Sequence, residues 1–518
     1  MKTPLFFIAL CLYGTTTAQI KIPHSKQEDT QHVMSDAYWK QWNDSLQTAI
    51  DKSIEQNRKA DAVIAIKGLP AGTRVRIEQV RHKFYFGAHI FNYNQLGSPE
   101  ANARYRELYG TFFNSATVGF YWKTFEDRRG QLRFREEYWD TEDYWNARDK
   151  PQYEFHWRRP STDQIVDFLT KRGVRIHGHP LIWGNRKWHH PDWLDDVLLS
   201  PNEKQTMKRL VTEHATLKNY KNGDVFSDEY KRMTPEALSD SFIHYAEGLA
   251  EAFKERITRI AAHYGGKIAS WDVVNESTSD YNHGVFGHQG KLCKSVYGIM
   301  PNDYVFQAFK TAEASFPSHV KLNINDYIIS EKYVEWTEKL RDRKCRIDVM
   351  GSQMHLFNPQ QCLDLAEGKT TNGLPTPKYV KNCMDILSRT GLPIHLSEIT
   401  ITAPGNDEKG RMIQAILTRN LYRLWFSIPA MQGITWWNVV DGCGAPGEPS
   451  VSGLFLRDMT PKPAFYALDE LINKEWKTVM SVQTKESGKV AFRGFRGHYV
   501  ISWKDRNGKE HTMETDVE

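Results

Sequence analysis

Trp271-Asp272-Val273-Val274-Asn275-Glu276 is an apolar run that ends abruptly in an amide and a carboxylate. Its length and β-branched pair suit a strand buried on both faces. Ile394-His395-Leu396-Ser397-Glu398 repeats the pattern and again ends in a carboxylate. Working outward, candidate strands begin near Phe84, Phe112, Val174, Ile268, Leu322, Ile347, Ile394 and Gly433. Between them lie amphipathic stretches such as 239–264, 303–316 and 408–426, with apolar residues at helical spacing. This strand–helix alternation predicts an α/β fold, a closed (β/α)₈ TIM barrel.

Several of these strands end in polar or aromatic residues. They are His177-Gly178-His179, Asn275-Glu276, Asn325-Asp326-Tyr327, Gln353-Met354-His355, Glu398 and Trp436-Trp437. One polar strand end is usually an inconsequential loop residue. So many on separate strands converge on one face, and in this fold that face carries the active site. Glycoside hydrolysis commonly uses two carboxyls flanking the scissile bond. One must hold a proton for the leaving oxygen, and the other must be ionised to attack the anomeric carbon. Glu276 and Glu398 are the candidates. In a retaining enzyme they would stand about 5–5.5 Å apart.

Taken in order, these segments resemble glycoside hydrolase family 10, the family of endo-β-1,4-xylanases. Trp271 to Glu276 matches its W-D-V-V-N-E. Gly178-His179-Pro180-Leu181-Ile182-Trp183 is similar to its G-H-T-L-V-W. Asn325-Asp326-Tyr327 matches N-D-Y, Gln353-Met354-His355 matches Q-x-H, and Ser397-Glu398 resembles T-E. Trp437-Asn438-Val439-Val440-Asp441 resembles W-G-V-T-D, and Leu454-Phe455 with Pro461-Lys462-Pro463-Ala464-Phe465 resembles the closing L-F…P-K-P-A-Y. The resemblance spans about residues 83 to 472. It implies Glu276 as general acid/base, Glu398 as nucleophile and His355 as the group orienting the nucleophile. It implies sugar contacts from His179, Trp183, Asn275, Asn325, Tyr327, Gln353 and Trp437. Asn275 would bond the 2-hydroxyl of the sugar being cleaved.

The departures concern the cleft. Where the family has E-N-x-x-K-W, this chain has Val118-Gly119-Phe120-Tyr121-Trp122-Lys123. Aligned from the left, Lys123 keeps the lysine of a subsite further from the cut. Aligned from the right, Trp122 is the tryptophan and no lysine remains. Gly184 stands where a histidine is usual. Thr400 stands two residues after the nucleophile where an aspartate is usual, so the usual His–Asp link is expected to be lost. A second cleft tryptophan is absent from Gly442-Cys443-Gly444-Ala445-Pro446. Insertions fall near 135–160, 200–235 and 280–300. Tyr138, Trp139, Tyr144, Trp145 and Trp157 in the first either form a sugar platform or cover the barrel.

Composition bounds the rest. The 518 residues suit a barrel of roughly 250 to 400 residues plus appendages. The net charge of +5 is dispersed, with no long run of either sign, which excludes an obvious nucleic-acid surface. The 16 Trp and 23 Tyr fit either a large core or a sugar cleft. Lys2, the apolar stretch 5–14 and the small residues Thr16 and Ala18 read as a cleavable signal peptide, 1–18. A secreted or periplasmic protein is expected. Cys11 lies inside the apolar stretch, which argues against a lipid anchor. No run is long enough for a membrane span. Cys293, Cys345, Cys362, Cys383 and Cys443 remain, read as buried thiols with one optional disulfide.

Short strands are expected at both ends, at 62–66 and 74–80, then 489–492, 499–503 and 510–513, with a hairpin turn at Arg506-Asn507-Gly508-Lys509. The domains are then an N-terminal β-bearing segment 19–82, a catalytic barrel 83–474 and a C-terminal β segment 475–518. The ends are expected to meet in one β module that braces the barrel or binds glycan. Alternation of Tyr499 and Trp503 with Val500 and Ser502 favours bracing. The expected activity is retaining hydrolysis of β-1,4-xylosidic bonds by a monomer without metal or organic cofactor, on a polysaccharide or oligosaccharide substrate. The alternatives are action on xylo-oligosaccharides or another β-linked glycan, and a carbohydrate-binding protein without catalysis.

Overall fold

A computed structural model describes residues 20–518, apart from 151–152, 155–159, 186–187, 211–226, 283–284, 287–296, 298–302, 372 and 487. The signal-peptide segment, Cys11, Trp157 and Cys293 lie outside the described residues.

The barrel strands are β1 (Tyr85–His89), β2 (Ser115–Gly119), β3 (Arg175–His179), β4 (Ser270–Asn275), β5 (Lys321–Asp326), β6 (Val349–Leu356), β7 (Ile394–Ile401) and β8 (Met431–Trp436). Each pairs in parallel with the next, and β8 pairs with β1 to close the ring. The predicted barrel is therefore present. The second strand starts later than expected. Phe112 belongs to the C-cap of the helix Pro99–Thr111 and packs in the core, and extended backbone begins at Ser115.

Close packing between neighbours explains one need for glycine. A Cβ on Gly178 would lie 2.2 Å from the Trp271 ring, so the indole of β4 can cross β3 only where no side chain intervenes. The pairing slips between Asn323 and Ile324, between Ser352 and Gln353, and between Leu396 and Ile399. These irregularities sit where β5, β6 and β7 reach the barrel mouth. There they re-aim Asn325, Gln353 and Glu398.

The helix Glu408–Ser427 is buried along almost its whole length. Its outer side is covered by the N-terminal helix Asp44–Arg58, whose Ile50 and Ile54 join the main core. Arg423 pairs with both Asp51 and Glu475, and Arg58 donates to the carbonyls of Phe426 and Ile428. The two closing motifs also meet. Lys462, almost fully buried, pairs with Asp441 at 3.0 Å.

The chain ends do come together. Val479–Gln483, Arg74–His82, Gly497–Lys504 and Glu510–Val517 form one antiparallel sheet in that order, and Lys59–Ala65 pairs with Lys489–Phe495 beside it. Val75, Ile77, Val490, Phe492, Tyr499 and Ile501 fill the space between the two sheets. Val479–Gln483 escaped notice in the sequence because it buries no side chain fully. Cys345, Cys362, Cys383 and Cys443 are buried free thiols. Burial pushes the Cys362 thiol up to about 12. No helix of the described residues is long and apolar enough to cross a membrane.

Removing residues 475–518 would strip Arg74–His82 of both neighbours and expose Val75 and Ile77. Each buried aliphatic side chain is worth about 1.5–3 kcal/mol. The truncated chain is expected to melt at least about 5 °C below the full chain in calorimetry; an unchanged midpoint would show that the module does not brace the barrel.

Candidate active site

Glu276 follows directly on β4, and its backbone adopts φ +57°, which L-residues other than Asn and Asp seldom adopt. The strained peptide is held by its N–H, which donates to the Asn325 carbonyl at 2.8 Å. The side chain thereby turns into the mouth. Trp183 Nε1 donates to Oε2 at 3.1 Å and Gln353 Nε2 to Oε1 at 3.2 Å. Burial, then the charges of Glu398 and Asp326, push the Glu276 carboxyl up to about 8 against those two donors. It is protonated at neutral pH.

Glu398 lies on β7 and is 5% exposed. Asn325 Nδ2 donates to Oε1 at 2.9 Å, and His355 Nε2 lies 3.2 Å from Oε2. His179 Nε2 stands 3.7 Å from Oε1. Asn325 and His355 are within donating distance and His179 stands just beyond it, so the pocket suits the ionised form. The missing aspartate behind His355 does not leave a gap. The His–Asp link is absent as expected, and the Thr400 hydroxyl takes its place, 2.9 Å from His355 Nδ1.

Asn275 Oδ1 accepts from Asn325 at 2.8 Å and from Gln353 at 3.3 Å. That fixes the amide with its NH₂ available for a ligand. Asn325 itself is fully buried. Both amide atoms are engaged, since Nδ2 serves Asn275 and Glu398 while Oδ1 accepts from Ser397. The sugar contact implied for Asn325 is thus replaced by a link between two site residues. Gly351 keeps room for it, because a Cβ there would lie 2.5 Å from Asn325 Oδ1.

Behind His179 lies a polar chain that the sequence did not single out. Asp272 Oδ2 accepts from His179 Nδ1 at 2.8 Å and from His177 Nε2 at 2.9 Å. Burial would raise the Asp272 carboxyl, but the two histidines outweigh it and hold it well below the usual range. Burial would lower His179, but Glu398 and Asp272 raise it. The available signal was a lone Asp inside an apolar strand beside a strand bearing His-Gly-His.

Aromatic rings form the rest of the rim. Phe91, Tyr121 and Trp437 cluster, with Trp183 and Phe357 packed against them. Trp437 meets His179 and His355 edge-on at 5.6 and 5.8 Å. Phe91, Tyr121 and Phe357 were not anticipated, because each lies in a loop without periodicity. Tyr327 follows β5 and is half-buried. Lys123 is not brought to the carboxylates; its ammonium pairs with Asp192 at 2.8 Å. Trp145 of the first insertion is fully buried and Tyr144 packs on the same core, so these two cover the barrel. One His–carboxylate grouping with metal-like spacing occurs among the described residues, His24–Glu470–Glu475. Arg419 and Arg423 already neutralise Glu475 there.

A barrel with a protonated and a hydrogen-bonded carboxyl at its mouth is the design of a glycoside hydrolase. The chain belongs to glycosyl hydrolase family 10, whose model matches residues 78–228 and 230–471. It is 25% identical over 321 residues to endo-1,4-beta-xylanase A of Thermoanaerobacterium saccharolyticum, a match covering 60% of this chain and 22% of that protein. This chain thus matches only about a fifth of that relative. It is 23% identical over 328 residues to endo-1,4-beta-xylanase B of Thermotoga neapolitana, covering 61% of this chain and 74% of that protein. The solved family 10 structure from Paenibacillus barcinonensis superposes with a TM-score of 0.50 at 21% identity, covering 76% of this chain and 96% of that one, and shares the fold.

The raised carboxyl has two consequences. Turnover that needs protonated Glu276 should fall as pH rises through about 8. Because the folded state holds this proton more tightly than the unfolded chain, Glu276 costs stability as pH climbs from its ordinary 4.5 toward about 8. Glu276→Gln should therefore gain stability over the wild type above that window, measured by urea midpoints at acid and alkaline pH. Equal midpoints at all pH values would show an unperturbed Glu276.

Proposed function

We propose that this protein hydrolyses β-1,4-xylosidic bonds in xylan by double displacement, as a secreted or periplasmic monomer. The signal-like N-terminus supports the location, and the xylanases among its relatives support the substrate. One observation carries the chemistry. Glu276 is held protonated, while Glu398 has two groups within donating distance and His179 beside it.

In the first step Glu398 bonds to the anomeric carbon as the glycosidic C–O bond breaks. The proton of Glu276 passes to the leaving oxygen. In the second, water attacks the same carbon, its proton returns to Glu276, and the ester to Glu398 breaks. Asn275 offers its NH₂ to the 2-hydroxyl, an interaction that strengthens toward the transition state. Trp437 and Trp183 flank the sugar, with Trp183 also holding the acid.

A second reading keeps the chemistry and changes the substrate, to xylo-oligosaccharides or another β-linked glycan. It is favoured by Lys123, which is engaged by Asp192, and by the apolar wall of Phe91 and Tyr121. Sized products from xylan, decorated xylans and defined oligosaccharides separate these readings. Glu398→Ala should lower turnover more than about 10³-fold with the fold and glycan binding retained. If the wild type binds these glycans but releases nothing from any of them, the protein is a binding module.

A further inference from the structure

Thr400 is fully buried on β7, and the only described partner of its hydroxyl is His355 Nδ1, at 2.9 Å. The other ring nitrogen of His355 faces Glu398 at 3.2 Å. The ring itself is clamped. Phe357 stacks on it with centroids 4.2 Å apart and planes at 14°, and Trp437 meets it edge-on. With the heavy atoms fixed, only the placement of protons is open. The ionisable groups on its Nε2 side are Glu398 on β7 and, beyond it, His179 on β3 and the protonated Glu276 after β4.

Three proton arrangements compete. In the Nδ1–H tautomer, the Nε2 lone pair faces the Glu398 carboxylate, and the Thr400 proton has no acceptor. In the imidazolium, Nε2–H reaches Glu398, but the Thr400 proton is still orphaned. In the Nε2–H tautomer, His355 donates to Glu398 and Thr400 donates to Nδ1, so every polar atom is paired. Buried polar groups are rarely left unpaired, because an orphaned donor loses its water without recompense.

The geometry points to Thr400 as the positioning residue that sets the protonation state of His355. Its hydroxyl donates to Nδ1 and holds the ring as the neutral Nε2–H tautomer facing Glu398. This rests on the reading of Glu398 as nucleophile. The arrangement has a chemical use there. When Glu398 becomes an ester it carries no charge, and a neutral histidine leaves no uncompensated cation beside it. A carboxylate in place of Thr400 would instead favour the imidazolium.

The test is direct. ¹⁵N-histidine spectra of the free protein, with the His355 signal assigned by its loss in His355→Gln, should show the neutral Nε2–H tautomer at neutral pH. An imidazolium or the Nδ1–H form at neutral pH would overturn the inference. Thr400→Ser should keep both the tautomer and kcat. Thr400→Val should lose the tautomer and lower kcat on the order of tenfold, the worth of one buried hydrogen bond, with KM unchanged. If Thr400→Val keeps both, the inference fails. If Thr400→Val does not fold, the wild-type and Thr400→Ser spectra decide. A wild type inactive on every β-linked glycan would remove the reading of Glu398 as nucleophile while leaving the tautomer measurable.

Discussion

Two carboxyl groups in one desolvated pocket cannot both carry a charge cheaply. The rest of the site follows from that constraint. Burial and the nearby Glu398 keep the proton on Glu276. Each carboxyl accepts two N–H donors, Trp183 and Gln353 at Glu276 and Asn325 and His355 at Glu398, but His179 stands only beside Glu398 among the contacts described. In the proposed mechanism this asymmetry lets one of two chemically similar side chains serve as acid and the other as nucleophile.

The barrel makes the division geometrically possible. Its strands converge at one mouth, and the slips in pairing on β5, β6 and β7 occur where Asn325, Gln353 and Glu398 emerge. Asn325 then ties the two halves together. One amide nitrogen spans Glu398 and Asn275, and its oxygen is anchored by Ser397. Ser397 and Thr400 thus brace Glu398 from its own strand, each through an intermediate side chain. Hydroxyls suit this task, since they donate or accept without adding charge to an already crowded field.

Much of this was legible in the sequence because strand periodicity and strand-end chemistry are local signals. Trp271 to Glu276 shows both the strand and its terminal carboxylate. The terminal β module was also readable from alternation at 74–80 and 499–503. What escaped depends on contacts across the barrel. Asn325 looked like a sugar ligand because its polarity is visible but its complete burial is not. Thr400 looked like a loss because substitution by type says nothing of where its hydroxyl lands. Phe91, Tyr121 and Phe357 sit in aperiodic loops, where no pattern separates a cleft wall from a core residue. Val479–Gln483 turns Met480 and Val482 inward only in part and leaves Val479 exposed, so its apolar residues do not alternate cleanly in the sequence.

The same distinction separates chemistry from substrate. The two carboxyls and their donors are fixed by hydrogen bonds of 2.9–3.2 Å, whereas the rim is lined by the aromatic rings of Phe91, Tyr121, Trp183, Phe357 and Trp437. The central claim is that Glu398 forms a covalent intermediate which water then releases with net retention. It is tested most directly by following the anomeric protons of freshly released xylo-oligosaccharide by NMR, before mutarotation sets in. The account predicts that the β anomer appears first, and initial release of the α anomer would contradict it.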